Sequence, residues 1–252
     1  MKYLLIIPTY NEMDNIEAII KAVFQQTGIP FAHTHDSDSQ ADIDIDILIV
    51  DDNSPDNTAT KVEEMSQEDS RIHLLKRKGK MGLGTAYVEG FMYSLKHNYD
   101  AIIQMDADFS HDPNMIPQMA KLSEEHDVVI GSRYVCGINV VNWPLSRLIL
   151  SYFASKYVQI ITRMPIKDPT GGFKCIRSDV LKKINLEKIM ADGYSFQIEI
   201  NFRAWVNRFD IHEMPIVFTD RRSGQSKMSK KIIYEAVYMV WKLKFMQLIG
   251  RL

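Results

Sequence analysis

Cysteine is nearly absent from this 252-residue chain, and the two present, Cys136 and Cys175, have no metal-type spacing. A disulfide scaffold and a thiolate metal centre are both excluded, and a reducing compartment is expected. Long uncharged apolar runs are also missing. The nearest, Ile232 to Ile249, is broken by Glu235, Lys242 and Lys244, so no stretch has the length needed to span a bilayer. The beginning offers one lysine and a short apolar run interrupted by Pro8, which reads as a first strand rather than a secretory leader. Excess charge of one sign is lacking too: the net is −2, and no nucleic-acid partner is expected. What remains is 46% hydrophobic residues, enough for one large α/β domain with a substantial core.

The small net charge conceals an uneven distribution. From Arg221 onward there are eight basic residues against the single acid Glu235, so the preceding chain carries about −9. With Tyr238, Trp241, Phe245 and Leu248 between its lysines, this basic tail is suited to an anionic membrane surface or a phosphate ligand, or to packing one helix face on the core.

Read in order, strands alternate with amphipathic segments, the pattern of a mostly parallel sheet flanked by helices. Lys2 to Ile7 is a strand ending at Pro8-Thr9-Tyr10-Asn11-Glu12, before a helix from Asp14 to about Gln25. The stretch Thr27 to Asp46 holds Asp36, Asp38, Asp42, Asp44 and Asp46. Without the glycine and terminal glutamate of a calcium loop it reads as a solvated loop or insertion. Ile47 to Val50 delivers Asp51 and Asp52 at its carboxyl end, one for a turn or cap and one for the crevice, with Asp56 to Thr58 starting a helix. Ile72 to Leu75 precedes Gly82-Leu83-Gly84-Thr85-Ala86-Tyr87. A dinucleotide fingerprint would want a small residue at Tyr87, so this G-x-G marks a tight strand-to-helix turn.

The next strand runs into Asp106-Ala107-Asp108-Phe109-Ser110-His111. Extended geometry at the end of that strand puts the two carboxylates on one face, where they can address one cation, at the sheet edge where α/β proteins bind ligands. Val128 to Ile130 ends in Gly131-Ser132-Arg133-Tyr134, where Arg133 is suited to grip phosphate with its forked guanidinium. From Pro144 a helix is predicted with Leu145, Leu148, Ile149, Tyr152, Phe153, Tyr157, Ile160 and Ile161 as its apolar stripe, and with Arg147 and Ser151 four apart on another face. Ile211 to Phe218 reads as the last strand. It leads to Asp220 and a basic loop with Arg221 and Lys227, a candidate diphosphate clamp.

Taken together, these motifs resemble the GT-A glycosyltransferases, specifically the polyprenyl- or dolichyl-phosphate mannosyltransferases, over nearly the whole chain. The resemblance implies a Rossmann-like GT-A catalytic domain over 1–230, with a nucleotide-binding half near 1–110 and an acceptor half near 111–230. Residues 231–252 would form a basic amphipathic helix, one of the interface helices. It implies that Pro8, Tyr10, Glu12, Val50, Asp52, Asp106, Ala107, Asp108, Arg133, Arg221 and Lys227 surround GDP-mannose, with Asp108, Arg133 and Arg221 catalytic. Asp106, Asp108 and Ser110 would hold Mg2+ or Mn2+; some relatives carry glutamine at the Ser110 position. Arg133, Arg147 and Ser151 would bind the phosphate of a polyprenyl acceptor. The expected product is polyprenyl-phosphate mannose, made with inversion by a peripheral protein on the cytoplasmic side of a membrane. A separate membrane-anchoring subunit is a possible partner. Alternatives are a UDP-sugar donor, for instance a glucosyl donor, or a non-catalytic nucleotide-sugar-binding subunit. An aspartyl phosphatase fits less well, since its acids would sit near the first strand.

Overall fold

Runs of β-branched and leucine residues such as Leu4-Leu5-Ile6-Ile7 and Ile47-Leu48-Ile49-Val50 bury both faces, as interior strands of a parallel sheet do. In the computed structural model, which describes residues 1–28, 43–220 and 230–252, they form the centre of a seven-stranded sheet. The first half alternates strictly: β1 (Tyr3–Thr9), α1 (Met13–Gln25), β2 (Ile45–Asp51), α2 (Thr58–Glu68), β3 (Ile72–Lys76), α3 (Leu83–Lys96) and β4 (Ala101–Gln104). Next come α4 (Ile116–Leu122), β5 (Val128–Ser132), the two-residue β6 (Val140–Val141) and α5 (Leu145–Thr162). The last part holds β7 (Lys174–Arg177), α6 (Ser178–Lys183), α7 (Gly193–Val206), β8 (Ile211–Pro215), β9 (Phe218–Thr219) and α8 (Lys230–Leu248).

The strand order is β3-β2-β1-β4-β7-β5-β8, with only β7 antiparallel to its neighbours. The winding direction reverses between β1 and β4, which opens a crevice at their carboxyl ends. Helices α1, α2 and α4 pack on one face around Ile16, Ile20, Val62 and Met119. The other face is covered by α3, α6, α7 and α8, around Tyr87, Phe91, Phe196 and Leu243. Gly90 lets α3 lie directly on β1, because a Cβ there would stand 2.8 Å from Ile6 Cγ2.

Three expectations change. The last predicted strand is two: β8 joins the main sheet, and β9 pairs in parallel with β6 to make a small separate ribbon. Strand β7 has no counterpart in the sequence reading. Asp46 is not part of a solvated loop; it sits on β2, 7% exposed, bonded to Tyr99 Oη and 3.0 Å from Lys2 Nζ. Asp36, Asp38 and Asp42 lie outside the described residues.

Candidate functional site

The loops after β1 and β2 are tied to each other. Asn11 N–H donates to Ser54 Oγ (3.0 Å), Glu12 N–H to Thr58 Oγ1 (3.1 Å) and Met13 N–H to Asp56 Oδ2 (3.1 Å). This fixes Tyr10 and Glu12 beside the end of β2, with Lys80 Nζ 4.3 Å from the Tyr10 ring centroid. The two acids at the end of β2 have different partners. Asp51 is a turn residue, accepting from Thr9 Oγ1 (2.9 Å), Ser54 N (2.9 Å) and Ser54 Oγ (2.6 Å). Asp52 accepts from Arg77 Nη1 (2.7 Å) and Met81 N (3.3 Å). Burial raises the Asp52 carboxyl above its ordinary range, and the Arg77 charge opposes that shift. Val50 and Ala107 have buried side chains, so what they offer a ligand is main chain.

Arg77 escaped the sequence reading. Only 5% exposed, it bonds Asp52, the Gly82 carbonyl (3.2 Å) and the Thr85 hydroxyl. It thereby fixes the glycine turn that opens α3. The turn is also held from across the molecule by Asp192, whose Oδ1 accepts from Gly84 N (2.6 Å) and Gly193 N (2.7 Å).

Strand β4 stops at Gln104, so the Asp-Ala-Asp sequence lies in a bend beyond it, with Phe109 at φ +59°. The alternation that put both carboxylates on one strand face therefore does not apply. Both carboxylates lie within electrostatic reach of Tyr87 and of His111. His111 Nδ1 accepts from Asp106 N–H (3.1 Å), which places the ring proton on Nε2, and burial lowers the imidazole's pKa. The ring stacks on Phe173 at 5.1 Å. Asp108 Oδ1 accepts from Ser110 N–H (3.1 Å). Asp106 remains 41% exposed at its side chain. Two partly open carboxylates are suitable hard ligands for Mg2+ or Mn2+, and no group of three His, Cys, Asp or Glu that could hold a metal exists among the described residues. That donor set fits an ion completed by substrate phosphate oxygens.

Arg133 departs from expectation in orientation. Its Nε and Nη2 donate to Asp168 Oδ2 and Oδ1 (2.7 and 2.6 Å), and Nη2 also reaches Thr170 Oγ1 (2.8 Å). The fork expected to take phosphate is thus spent on Asp168. Burial works to raise the Asp168 carboxyl, but the guanidinium outweighs it and holds the group below its ordinary range. Glu213 of β8 fastens the Asp168 loop, accepting from Lys167 N (2.7 Å) and Asp168 N (2.9 Å). Around Arg133 lie the rings of Tyr134, Trp143 and Phe218 at 5.3, 5.5 and 5.6 Å. Arg147 stands 4.1 Å over Trp143 and donates to Asp220 Oδ1 (2.9 Å), and Ser151 Oγ accepts from Tyr134 Oη (2.8 Å). Arg147 and Ser151 therefore turn to the same edge as Arg133. Arg221 and Lys227 lie outside the described residues.

Residues 4–185 match the family model described as Glycosyl transferase family 2. The chain is 40% identical over 94% of its length to the polyprenol monophosphomannose synthase of Mycolicibacterium smegmatis, covering 84% of that protein. It is 38% identical over 95% of its length to the undecaprenyl-phosphate mannosyltransferase of Micrococcus luteus, covering 93% of it. The fold is similar to that of glucosyl-3-phosphoglycerate synthase from Mycobacterium tuberculosis, solved with UDP, at TM-score 0.65 and 13% identity, with 97% of this chain and 80% of that one covered.

Proposed function

The chain belongs to glycosyl transferase family 2, and on that premise we propose that it transfers mannose from GDP-mannose to a polyprenyl monophosphate, with inversion at the sugar carbon. One observation carries the reading. The carboxylates after β4 and the cations Arg133 and Arg147 occupy one sheet edge, in a chain whose named relatives are polyprenyl-phosphate mannosyltransferases.

Pro8, Tyr10, Glu12 and Asp52, with the main chain of Val50 and Ala107, receive the nucleotide. Asp106 and Asp108, with Ser110, hold a divalent cation, Mg2+ or Mn2+; when bound, it offsets the charge gathering on the departing diphosphate. Arg221 and Lys227 add positive charge over the same group. Arg147 and Ser151 receive the acceptor phosphate, beside an Arg133 whose fork is steadied by Asp168. A phosphate monoester is already largely ionised near neutral pH, so its oxygen attacks without a dedicated base. What these side chains supply is alignment. Tyr152, Phe153 and the exposed row on α5 continue from that pocket and receive the polyprenyl chain at a membrane surface.

The test is a matrix of donors and acceptor: GDP-mannose and UDP-glucose, each with a short polyprenyl phosphate, with and without Mn2+, scored for lipid-linked sugar and released nucleoside diphosphate. Lipid-linked mannose with GDP release is expected only with metal, and Asp108→Ala is expected to abolish it while leaving the melting temperature in place. Product from UDP-glucose alone would refute the donor, and GDP-mannose binding without product would favour a silent subunit.

A further inference from the structure

The edge assigned to the acceptor phosphate balances its own charge. Arg133 and Arg147 each already carry a carboxylate, Asp168 at 2.6 Å and Asp220 at 2.9 Å. A phosphate arriving there meets paired guanidinium groups rather than bare charge, and it must share or displace an anion before it gains a full ion pair. Which of the two carboxylates can yield depends on how each is held.

Asp168 is fixed. It is fully buried, its carboxylate accepts from Arg133 N–H (3.0 Å) as well as from the guanidinium, and Glu213 fastens the loop behind it. Moving it would leave two buried charges uncompensated. Asp220 is placed differently. Its N–H donates to the Val141 carbonyl (3.1 Å) at the end of the β6–β9 ribbon, which sets its side chain against Arg147. That side chain is 26% exposed, so the carboxylate can turn into water by a change of rotamer while the ribbon keeps its main chain in place. A partly exposed ion pair of this kind is worth only a fewfold in an equilibrium constant. A phosphate monoester brings about −1.5 to −2 charges near neutral pH and more acceptor oxygens than a carboxylate. Arg147 has a second hold at the same edge, its guanidinium lying 4.1 Å over the Trp143 ring, and stays there when Asp220 leaves.

We propose that Asp220 holds the acceptor's place on Arg147, and that the phosphate binds by taking the guanidinium from it. Resting on the acceptor pocket of the proposed function, this gives that pocket a competitor built into the chain. Asp220 thereby sets the threshold for entry: an anion that binds a guanidinium no better than a carboxylate does leaves the pair closed, and a phosphate monoester opens it.

Calorimetric titration of the full chain with geranyl phosphate, a short isoprenyl monophosphate, tests it. Asp220→Asn keeps an acceptor for Arg147 but removes the charge, and the Kd is expected to fall about threefold to tenfold. Should that variant not fold, Asp220→Ala decides, with the same direction expected. In an Arg147→Gln background the Asp220→Asn step should change the Kd by less than about twofold, because the competition is for that guanidinium. A Kd that rises or stays unchanged on removing the Asp220 charge overturns the proposal and makes the pair a structural one. An equal gain in the Arg147→Gln background also overturns it, since that would report only a general loss of negative charge. If Arg147→Gln alone binds geranyl phosphate as tightly as the parent chain, the failure lies earlier, in the acceptor-pocket reading itself.

Discussion

Asp168 has the most consequential partnership at the residue scale. Removing its charge leaves the Arg133 guanidinium buried at 7% exposure without its counter-ion, which costs more than the pair contributes net. Asp168→Asn is therefore expected to lower kcat/KM for the polyprenyl phosphate by about two orders of magnitude, from misalignment of the phosphate edge. The donor KM should change little. Steady-state kinetics in each substrate separate the two, and an equal loss in both would mean that the whole edge had collapsed. Lys174 gives a pH signature. Burial lowers its ammonium to about 7, with Asp168 opposing that shift. The unfolded chain thus binds the extra proton between about pH 7 and the ordinary lysine value, and this group makes the fold more stable as pH rises through that window, by up to about 1.4 kcal/mol per pH unit. Melting curves from pH 7 to 9 should show the trend, and Lys174→Met should flatten it. Neither partnership could be read from the sequence. Asp168 lies 35 residues from Arg133, and Arg77 lies 25 from Asp52, so no local pattern links them. What was legible were the strand-end acids and Arg133, because they follow directly from apolar runs.

Among the elements, those called from the sequence were the ones whose pattern is local. The parallel strands β1 to β5 announce themselves by continuous apolar runs, whereas β7 is four residues with two cations, Lys-Cys-Ile-Arg, and reads as a strand only once β4 and β5 flank it. The periodicity of α5 marks a helix, but its apolar stripe is largely not the buried face. Ser155, Val158 and Thr162 are buried, while Leu145, Ile149, Phe153 and Ile160 are 48 to 73% exposed. Periodicity tells that a helix has two faces, not which of them meets the core. The start of α3 depends on a conformation that a side chain would disturb. Gly82 has φ +103°, and a Cβ there would come within 2.2 Å of Asp192 Oδ2. Gly82→Ala is expected to cost about 1–3 kcal/mol, and to weaken nucleotide binding as well, because the same turn carries Arg77 and through it Asp52. Asp192→Ala should cost about 1–2 kcal/mol by uncapping α7 and releasing Gly84, without touching the carboxylates after β4. Chemical denaturation paired with GDP titration distinguishes these outcomes.

Across the whole molecule, the asymmetry lies in where apolar surface is left uncovered. The sheet and the inner helices are sealed, yet α5 and α8, packed against each other, expose Ile149, Phe153, Tyr238, Trp241, Phe245 and Leu248 on the outside. Among the described residues, no helix is long and apolar enough to cross a membrane. A row of this kind buries itself only in an interface, and α5 also carries Arg147 and Ser151. Under the proposed function, an acceptor phosphate held there would leave its hydrocarbon chain lying along the exposed row. Replacing Phe153 and Phe245 together with serine should then reduce sedimentation with anionic phosphatidylglycerol vesicles by roughly tenfold or more, given the transfer free energy of two aromatic side chains. Turnover of a water-soluble acceptor phosphate whose chain is too short to reach Phe153 should stay within about twofold, since neither ring is among the groups that hold phosphate or nucleotide. Raising salt should weaken vesicle binding of the parent chain, because Lys242, Lys244 and Arg251 contribute through charge that salt screens. Binding that survives the double substitution would move the membrane contact elsewhere on the surface. A parallel loss of soluble-substrate turnover would instead mean that α5 had lost its seat against α8, and the phosphate pocket with it.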